Sequence, residues 1–285
     1  MVRKALAIAA LSAVAGACAP GADADDTSLP IPAPQRYVAL GDSYVSGPGT
    51  GEPAGVPTGC LRSDNNYPRL VAAELSVATL SDVSCGGART EHMTEPQPTP
   101  QGDNPPQFDA LTPQTTLVTL GIGGNDVNFI ELTATCPEED VCLDTGAPGV
   151  PEWLASVIAE AGARVGTVLS EISQRAPHAE VVLVGYPTIL PEDGAECAGL
   201  LPHSADEIDS LRHALDALNT MLSQQAKAHD VTYVDTVAAT EGHGVCAPED
   251  ERWIEGLESV TGAHPLHPTA RGERALADAV LDALS

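Results

Sequence analysis

Runs rich in β-branched and aromatic residues recur five times along this chain, at 37–44, 77–84, 115–121, 180–186 and 231–236, with helical periodicity between several of them. Strands that alternate with helices argue for a parallel sheet covered on both faces. The helical pattern is clear at 67–75 and longest at 151–176, where Leu154, Ile158, Ala161, Val165, Leu169 and Ile172 fall on one face. Ile208, Leu211, Leu215, Leu218 and Leu222 mark a further helix. That spacing also suits a coiled-coil seam, but the segment is short and reads as a helix packed on a sheet. Leu276, Val280, Leu281 and Leu284 mark the last helix, and no internal repeat is present.

Ligands of open α/β sheets bind beyond the carboxyl ends of the strands. The first run stops at Gly41 and presents Asp42-Ser43-Tyr44; the second delivers Cys85-Gly86-Gly87; the third delivers Gly123-Gly124-Asn125-Asp126. Ser43, Gly87 and Asn125 are therefore expected on one edge. Each signal is weak alone, because Gly-Asp-Ser occurs in ordinary loops and the glycine pair reads equally well as a turn. A serine hydroxyl needs a base to attack a carbonyl, and a histidine with a pKa of about 6.5 suits that task. His267 follows the last strand by a loop and is expected to open the final helix on that same edge. His92, His178, His203, His213, His229 and His243 fall in loops or on helix surfaces. His264 and His267 do not form a regular helical metal pair, since Pro265 and Pro268 interrupt them, and no metal is expected.

At 285 residues and 43% hydrophobic content the chain can build one sizeable core, read as a single catalytic domain over 36–285. Met1-Val2-Arg3-Lys4 is positively charged and the stretch to Ala17 is apolar with small side chains, so residues 1–17 read as an export signal, too short to span a bilayer. Ala15-Gly16-Ala17-Cys18 resembles a bacterial lipobox, departing from the usual leucine at position 15. Lipidation of Cys18, with membrane anchoring at the cell surface, therefore stands beside a soluble secreted form. Residues 18–35 are acidic and proline-rich and read as a tether.

Setting Cys18 aside leaves six cysteines, Cys60, Cys85, Cys136, Cys142, Cys197 and Cys246. Export favours disulfides, and no pair has the C-x-x-C spacing of a zinc site. Sequential pairing is the most economical of the fifteen connectivities that six cysteines allow, and spacing does not decide among them. A net charge of −27 excludes nucleic acid as a natural partner and repels anionic lipid surfaces.

Taken in order, Gly41-Asp42-Ser43, Gly87 after a strand, Gly124-Asn125-Asp126 and His267 resemble the four blocks of the SGNH, or GDSL-like, hydrolase superfamily, most closely its secreted actinobacterial lipases and esterases. The resemblance spans roughly 36–285. It implies an α/β fold, a flavodoxin-like three-layer α/β/α sandwich with a five-stranded parallel sheet, in agreement with the strand count. It also implies the three sequential disulfides. Ser43 matches the nucleophile and His267 the general base, while the Ser43 N–H, the Gly87 N–H and the Asn125 amide match the oxyanion hole. Many members carry an aspartate three residues before the histidine, where this chain has His264. A few instead use a backbone carbonyl, so the His264 or Pro265 C=O is expected to orient His267 in a Ser–His dyad. Val45 stands where the G-x-S-x-G elbow of α/β-hydrolases has its second glycine, and Asp42 reads as a turn residue.

The implied function is an exported serine esterase or lipase acting on carboxylic esters, acyl lipids foremost, as a monomer whose partner is a small-molecule or lipid ester. A carbohydrate acyl or acetyl esterase would use the same apparatus. A ligand-binding surface lipoprotein without chemistry is the reading from another class. No cofactor is implied, because the chemistry needs only protein groups and water. The loops at 46–59, 91–106 and 238–263 are expected to shape the substrate groove.

Overall fold

In the computed structural model, which describes residues 36–135 and 150–285, the opening run forms β1 (Arg36–Gly41). Its side chains alternate as a pleated strand requires. Val38 and Leu40 enter one buried cluster, Tyr37 and Ala39 another. The other strands are β2 (Thr79–Asp82), β3 (Leu117–Gly121), β4 (Glu180–Val184) and β5 (Thr232–Val234). All neighbours are parallel, in the order β2-β1-β3-β4-β5. Tyr37 pairs with Leu117 and Gly41 with Gly121, so β1 and β3 end at the same level. That register brings the turn holding Ser43 beside the loop holding Asn125.

The helices are α1 (Ser43–Ser46), α2 (Tyr67–Glu74), α3 (Phe129–Ala134), α4 (Glu152–Arg175), α5 (Ala205–Ala228), α6 (Val237–Thr240) and α7 (Ala270–Ala283). On one face, Leu154, Val165 and Leu169 of α4 and Leu211, Leu218 and Leu222 of α5 pack with Val118, Leu120 and Leu183 of the sheet. On the other, Tyr67 and Val71 of α2 and Leu276 and Val280 of α7 pack with Leu117, Val182 and Val184. The result is the three-layer sandwich. Full burial contributes about 1.5–3 kcal/mol for each such large apolar side chain. The α5 leucines are thus absorbed by the sheet and α4, and no seam is left for a coiled coil. A capping box starts α5, with Ser204 Oγ accepting from Glu207 N–H and Glu207 accepting from Ser204 N–H.

Several boundaries differ from expectation. Strands β2 to β5 are all shorter than their runs, and the edge strands β2 and β5, which pair on one side only, keep half of theirs. The stretch 238–263 is entered through the short helix α6. His267 lies ahead of the last helix rather than opening it: Pro268 disfavours helical backbone at residue 267, and α7 begins after the Thr269 cap, whose side chain accepts from Gly272 N–H.

Two disulfides join Cys60 to Cys85 and Cys197 to Cys246. Cys136 with Cys142, the export signal, the tether and Cys18 lie outside the described residues. Among the described residues no helix is long and apolar enough to cross a membrane. Replacing both Cys60 and Cys85 with serine should lower the unfolding free energy by roughly 2–4 kcal/mol. Urea denaturation, with the slope fitted separately for each protein because the chain without the cross-link unfolds to a more expanded state, measures it.

Candidate active site

The end of β1 leaves no room for a side chain at Gly41. Gly41 has φ 147°, and a Cβ there would lie 2.3 Å from Gly121 O. Asp42 N–H donates to Gly121 O (3.0 Å), and Asp42 Oδ1 accepts from Tyr44 N–H (2.9 Å), which caps α1 at its first turn. Ser43 follows the cap, and neither its backbone N–H nor its Oγ donates a hydrogen bond among the described residues. Two buried side chains lock the turn from behind. Gln107 accepts from Gly41 N–H (2.7 Å) and donates to Gly41 O (2.9 Å). The Tyr186 hydroxyl donates to Asp42 Oδ2 (2.6 Å) and accepts from Gly124 N–H (2.7 Å). Burial pushes the Asp42 carboxyl up to about 7, against the lowering effect of these hydrogen bonds. Asp42 is thereby a clamp between the serine turn and the Gly124-Asn125 loop.

Gly87 lies beyond β2 with φ 75°, exposed, its N–H without a protein partner among the described residues. Asn125 Nδ2 donates one hydrogen to Ala88 O (2.9 Å), tying the third loop to the second. The next residue repeats the tie: Asp126 accepts from Thr90 N–H (3.0 Å) and from Arg164 Nε (3.1 Å).

His267 is buried, with Nδ1 2.7 Å from Pro265 O. A carbonyl only accepts, so Nδ1 carries the proton and Nε2 presents its lone pair. The His264 carbonyl instead accepts the backbone N–H of His267 (3.1 Å). Glu255 fixes the loop. Its backbone exchanges hydrogen bonds with Leu266 N–H and His267 O. Its buried carboxylate accepts from Arg252 Nη2 (2.9 Å), Gly256 N–H (2.9 Å), Thr261 N–H (2.8 Å) and Thr261 Oγ1 (2.6 Å). Burial would raise the Glu255 pKa, but the donors from Thr261, Gly256 and Val260 hold it below the usual value. Tyr44 joins the histidine to the serine turn: its hydroxyl donates to Leu266 O (2.6 Å) and its ring lies 5.1 Å from that of His267. Burial lowers the His267 pKa to about 4; the Pro265 carbonyl opposes this and nearby His264 adds to it.

Ser43 and Asn125 line one small pocket with Gly124, Tyr186, Phe129, Ile130 and Leu218. His267 and Gly87 do not line it: His267 lies against Tyr44, a lining residue, and Gly87 precedes Ala88, whose carbonyl accepts from the lining Asn125. Among the described residues no group of three or more His, Cys, Asp or Glu side chains is placed to hold a metal ion. Sequence reasoning did not single out Tyr186, Gln107, Tyr44 or Glu255 for this edge. Tyr186 carried a usable signal, since it ends the fourth run where the other strands deliver polar groups.

A sequence model of the GDSL-like Lipase/Acylhydrolase family matches residues 39–275. The chain is 38% identical over 257 residues to Lipase 2 of Streptomyces coelicolor, which covers 87% of this chain and 85% of that one. Its fold superposes on the crystal structure of phospholipase A1 from Streptomyces albidoflavus with a TM-score of 0.69 and 30% identity, over 87% of this chain and 99% of that one. The extracellular lipase of Streptomyces rimosus gives a TM-score of 0.70 at 28% identity, over 87% and 99%.

Proposed function

The chain belongs to the GDSL-like lipase/acylhydrolase family and is a carboxylic ester hydrolase, and from that premise we propose that it works through an acyl-enzyme on Ser43 with His267 as sole general base. The Ser43 proton passes to His267 Nε2 as Oγ bonds to the ester carbonyl carbon, and the carbonyl electron pair moves to oxygen. The Ser43 N–H, the Gly87 N–H and the second Asn125 amide hydrogen receive that negative charge. Collapse breaks the bond to the alcohol, which leaves with the proton from His267. Water then attacks the acyl-enzyme, giving its proton to His267, and the acid is released as Ser43 is reprotonated.

The observation that carries this reading is the 2.7 Å contact of His267 Nδ1 with Pro265 O. It leaves Nε2 basic without a carboxylate behind the ring. Similarity to a lipase and to a phospholipase A1, together with the apolar Phe129, Ile130 and Leu218 near Ser43 and Asn125, supports acyl lipids as substrates. The reading includes an export signal over 1–17, a tether over 18–35, and anchoring through lipidated Cys18; similarity to an extracellular lipase supports export. Hydrolysis of p-nitrophenyl esters of graded chain length, against acetylated sugars and with Ser43→Ala as control, tests the substrate class. A preference for acetylated sugars would reject acyl lipids.

The lowered His267 pKa fixes the sign of the pH dependence. The base works only when neutral, so activity is lost as pH falls through the folded-state value of about 4. With a neutral ester, kcat/KM should change modestly near pH 7, where the Asp42 clamp protonates, retain substantial activity at pH 5, and be lost through about pH 4 as His267 protonates; with an ordinary histidine activity would be lost below about 6.5. A pH–rate profile of kcat/KM reads this directly.

A further inference from the structure

The Gly86–Gly87 peptide is the unit on which one oxyanion donor depends, and its carbonyl side is held by a single buried side chain. Gln97 Nε2 donates to Gly86 O (2.8 Å). In a trans peptide the C=O and the following N–H point in opposite directions. This bond is trans, and whatever fixes Gly86 O aims Gly87 N–H the other way. We propose that Gln97 is a positioning residue for catalysis: it pins and polarises the Gly86–Gly87 peptide so that the Gly87 N–H is ready to receive the developing oxyanion. This rests on the reading of Ser43, Gly87 and Asn125 given above.

Four observations support it. Gln97 is buried, and a Cβ added at Gly87 would meet its Nε2 at 3.8 Å, so the amide sits against this peptide. Its Oε1 is buried and has no partner among the described residues. Leucine or methionine would fill the space without an unmet acceptor, so packing alone does not account for glutamine here. The backbone around Gln97 is built to hold it: Gln97 and Asn104 exchange both backbone hydrogen bonds (2.9 and 2.8 Å), closing the base of the 91–106 excursion. The rest of the segment is fixed independently. Arg62 Nη1 donates to Ser84 O (2.6 Å), Cys85 N–H to Gly41 O (3.0 Å) and Gly86 N–H to Cys60 O (2.9 Å). With those groups occupied, the Gly86–Gly87 plane is the remaining freedom, and glycine at both positions makes that plane easy to turn. Donation to Gly86 O also strengthens the N–H of the same peptide as a donor.

The test uses two variants, a p-nitrophenyl ester, and melting curves at each pH. Q97L removes the donor and should lower kcat about tenfold at every pH with KM within about twofold, less than the 10²–10³ lost with a whole donor. Q97E offers an acceptor to Gly86 O when ionised and a donor when protonated. Its kcat relative to wild type should be down ~30-fold at pH 8 and return to within about threefold at pH 5.5, where His267 is still neutral. A ratio that does not change with pH, full kcat in both variants, or a loss confined to KM overturns the proposal. So does unfolding of both variants, or unfolding of Q97E at pH 8 with full kcat in Q97L, which would make the residue structural. Asn125→Ala separates the two levels: full kcat there rejects the oxyanion reading itself, whereas its loss with no effect at Gln97 rejects only the present inference.

Discussion

Replacing His267 with alanine should lower kcat/KM about 10⁴–10⁶-fold, while the same change at His264 should cost less than about fivefold. The first effect follows from the proposed dyad, in which the Ser43 hydroxyl has no other base: among the described residues it hydrogen-bonds to no carboxylate, and the carboxyl of the preceding residue, Asp42, has both oxygens engaged by Tyr44 N–H and the Tyr186 hydroxyl. The second follows from where His264 lies. It stands edge-on to His267 with ring centroids 6.3 Å apart, is exposed, and makes no side-chain hydrogen bond to that ring among the described residues; Pro265 O accepts the hydrogen bond from Nδ1–H instead. Backbone cannot be removed by mutating its side chain, so the dyad should survive His264→Ala. Steady-state rates on a short p-nitrophenyl ester check both variants, and a thousandfold loss in His264→Ala would reject the dyad.

Asn125→Ala should lower kcat about 10²–10³-fold and leave KM within a few-fold. The amide has two hydrogens. One is spent on Ala88 O, which orients the group; in the mechanism we propose, the other receives charge that exists only in the transition state. Losing a contact made only there lowers kcat rather than weakening binding. Because the alanine also cuts the tie to Ala88, Asn125→Asp is the companion: it keeps the shape, loses the donor and adds repulsion toward an oxyanion, and should be at least as damaging. A variant whose defect lies in KM alone would assign Asn125 to binding.

Much of this edge was legible in the chain. Strand runs and helical periods are local properties, so the alternation of Val38 and Leu40 with Tyr37 and Ala39, and the stripe from Leu154 to Ile172, announced the sheet and the layer above it. Ser43, Gly87 and Asn125 were legible because each falls just past a strand, and a parallel sheet carries all strand ends to one side. What was not legible depends on contacts between segments far apart in sequence. Tyr186 meets Asp42 across 144 positions, Tyr44 meets Leu266 across 222, and Gln107 meets Gly41 across 66. No local pattern distinguishes Tyr44 or Gln107 from a residue that fills the core; Tyr186 alone of the three carries a local signal, its place at the end of the fourth run. The start of α7 differs for a local reason: Pro268 disfavours helical backbone at His267, so the same proline that interrupts the His264–His267 pair also sets the helix boundary.

The central claim is that Ser43 is the nucleophile made reactive by this edge, and covalent labelling reads it most directly. A fluorophosphonate forms a stable bond to an activated serine and leaves others untouched. Intact-mass measurement after labelling at neutral pH should give a single adduct on the wild-type chain, mapped by peptide fragmentation to Ser43, and none on Ser43→Ala of equal thermal stability. An adduct on another serine, or equal labelling of Ser43→Ala, would contradict the account.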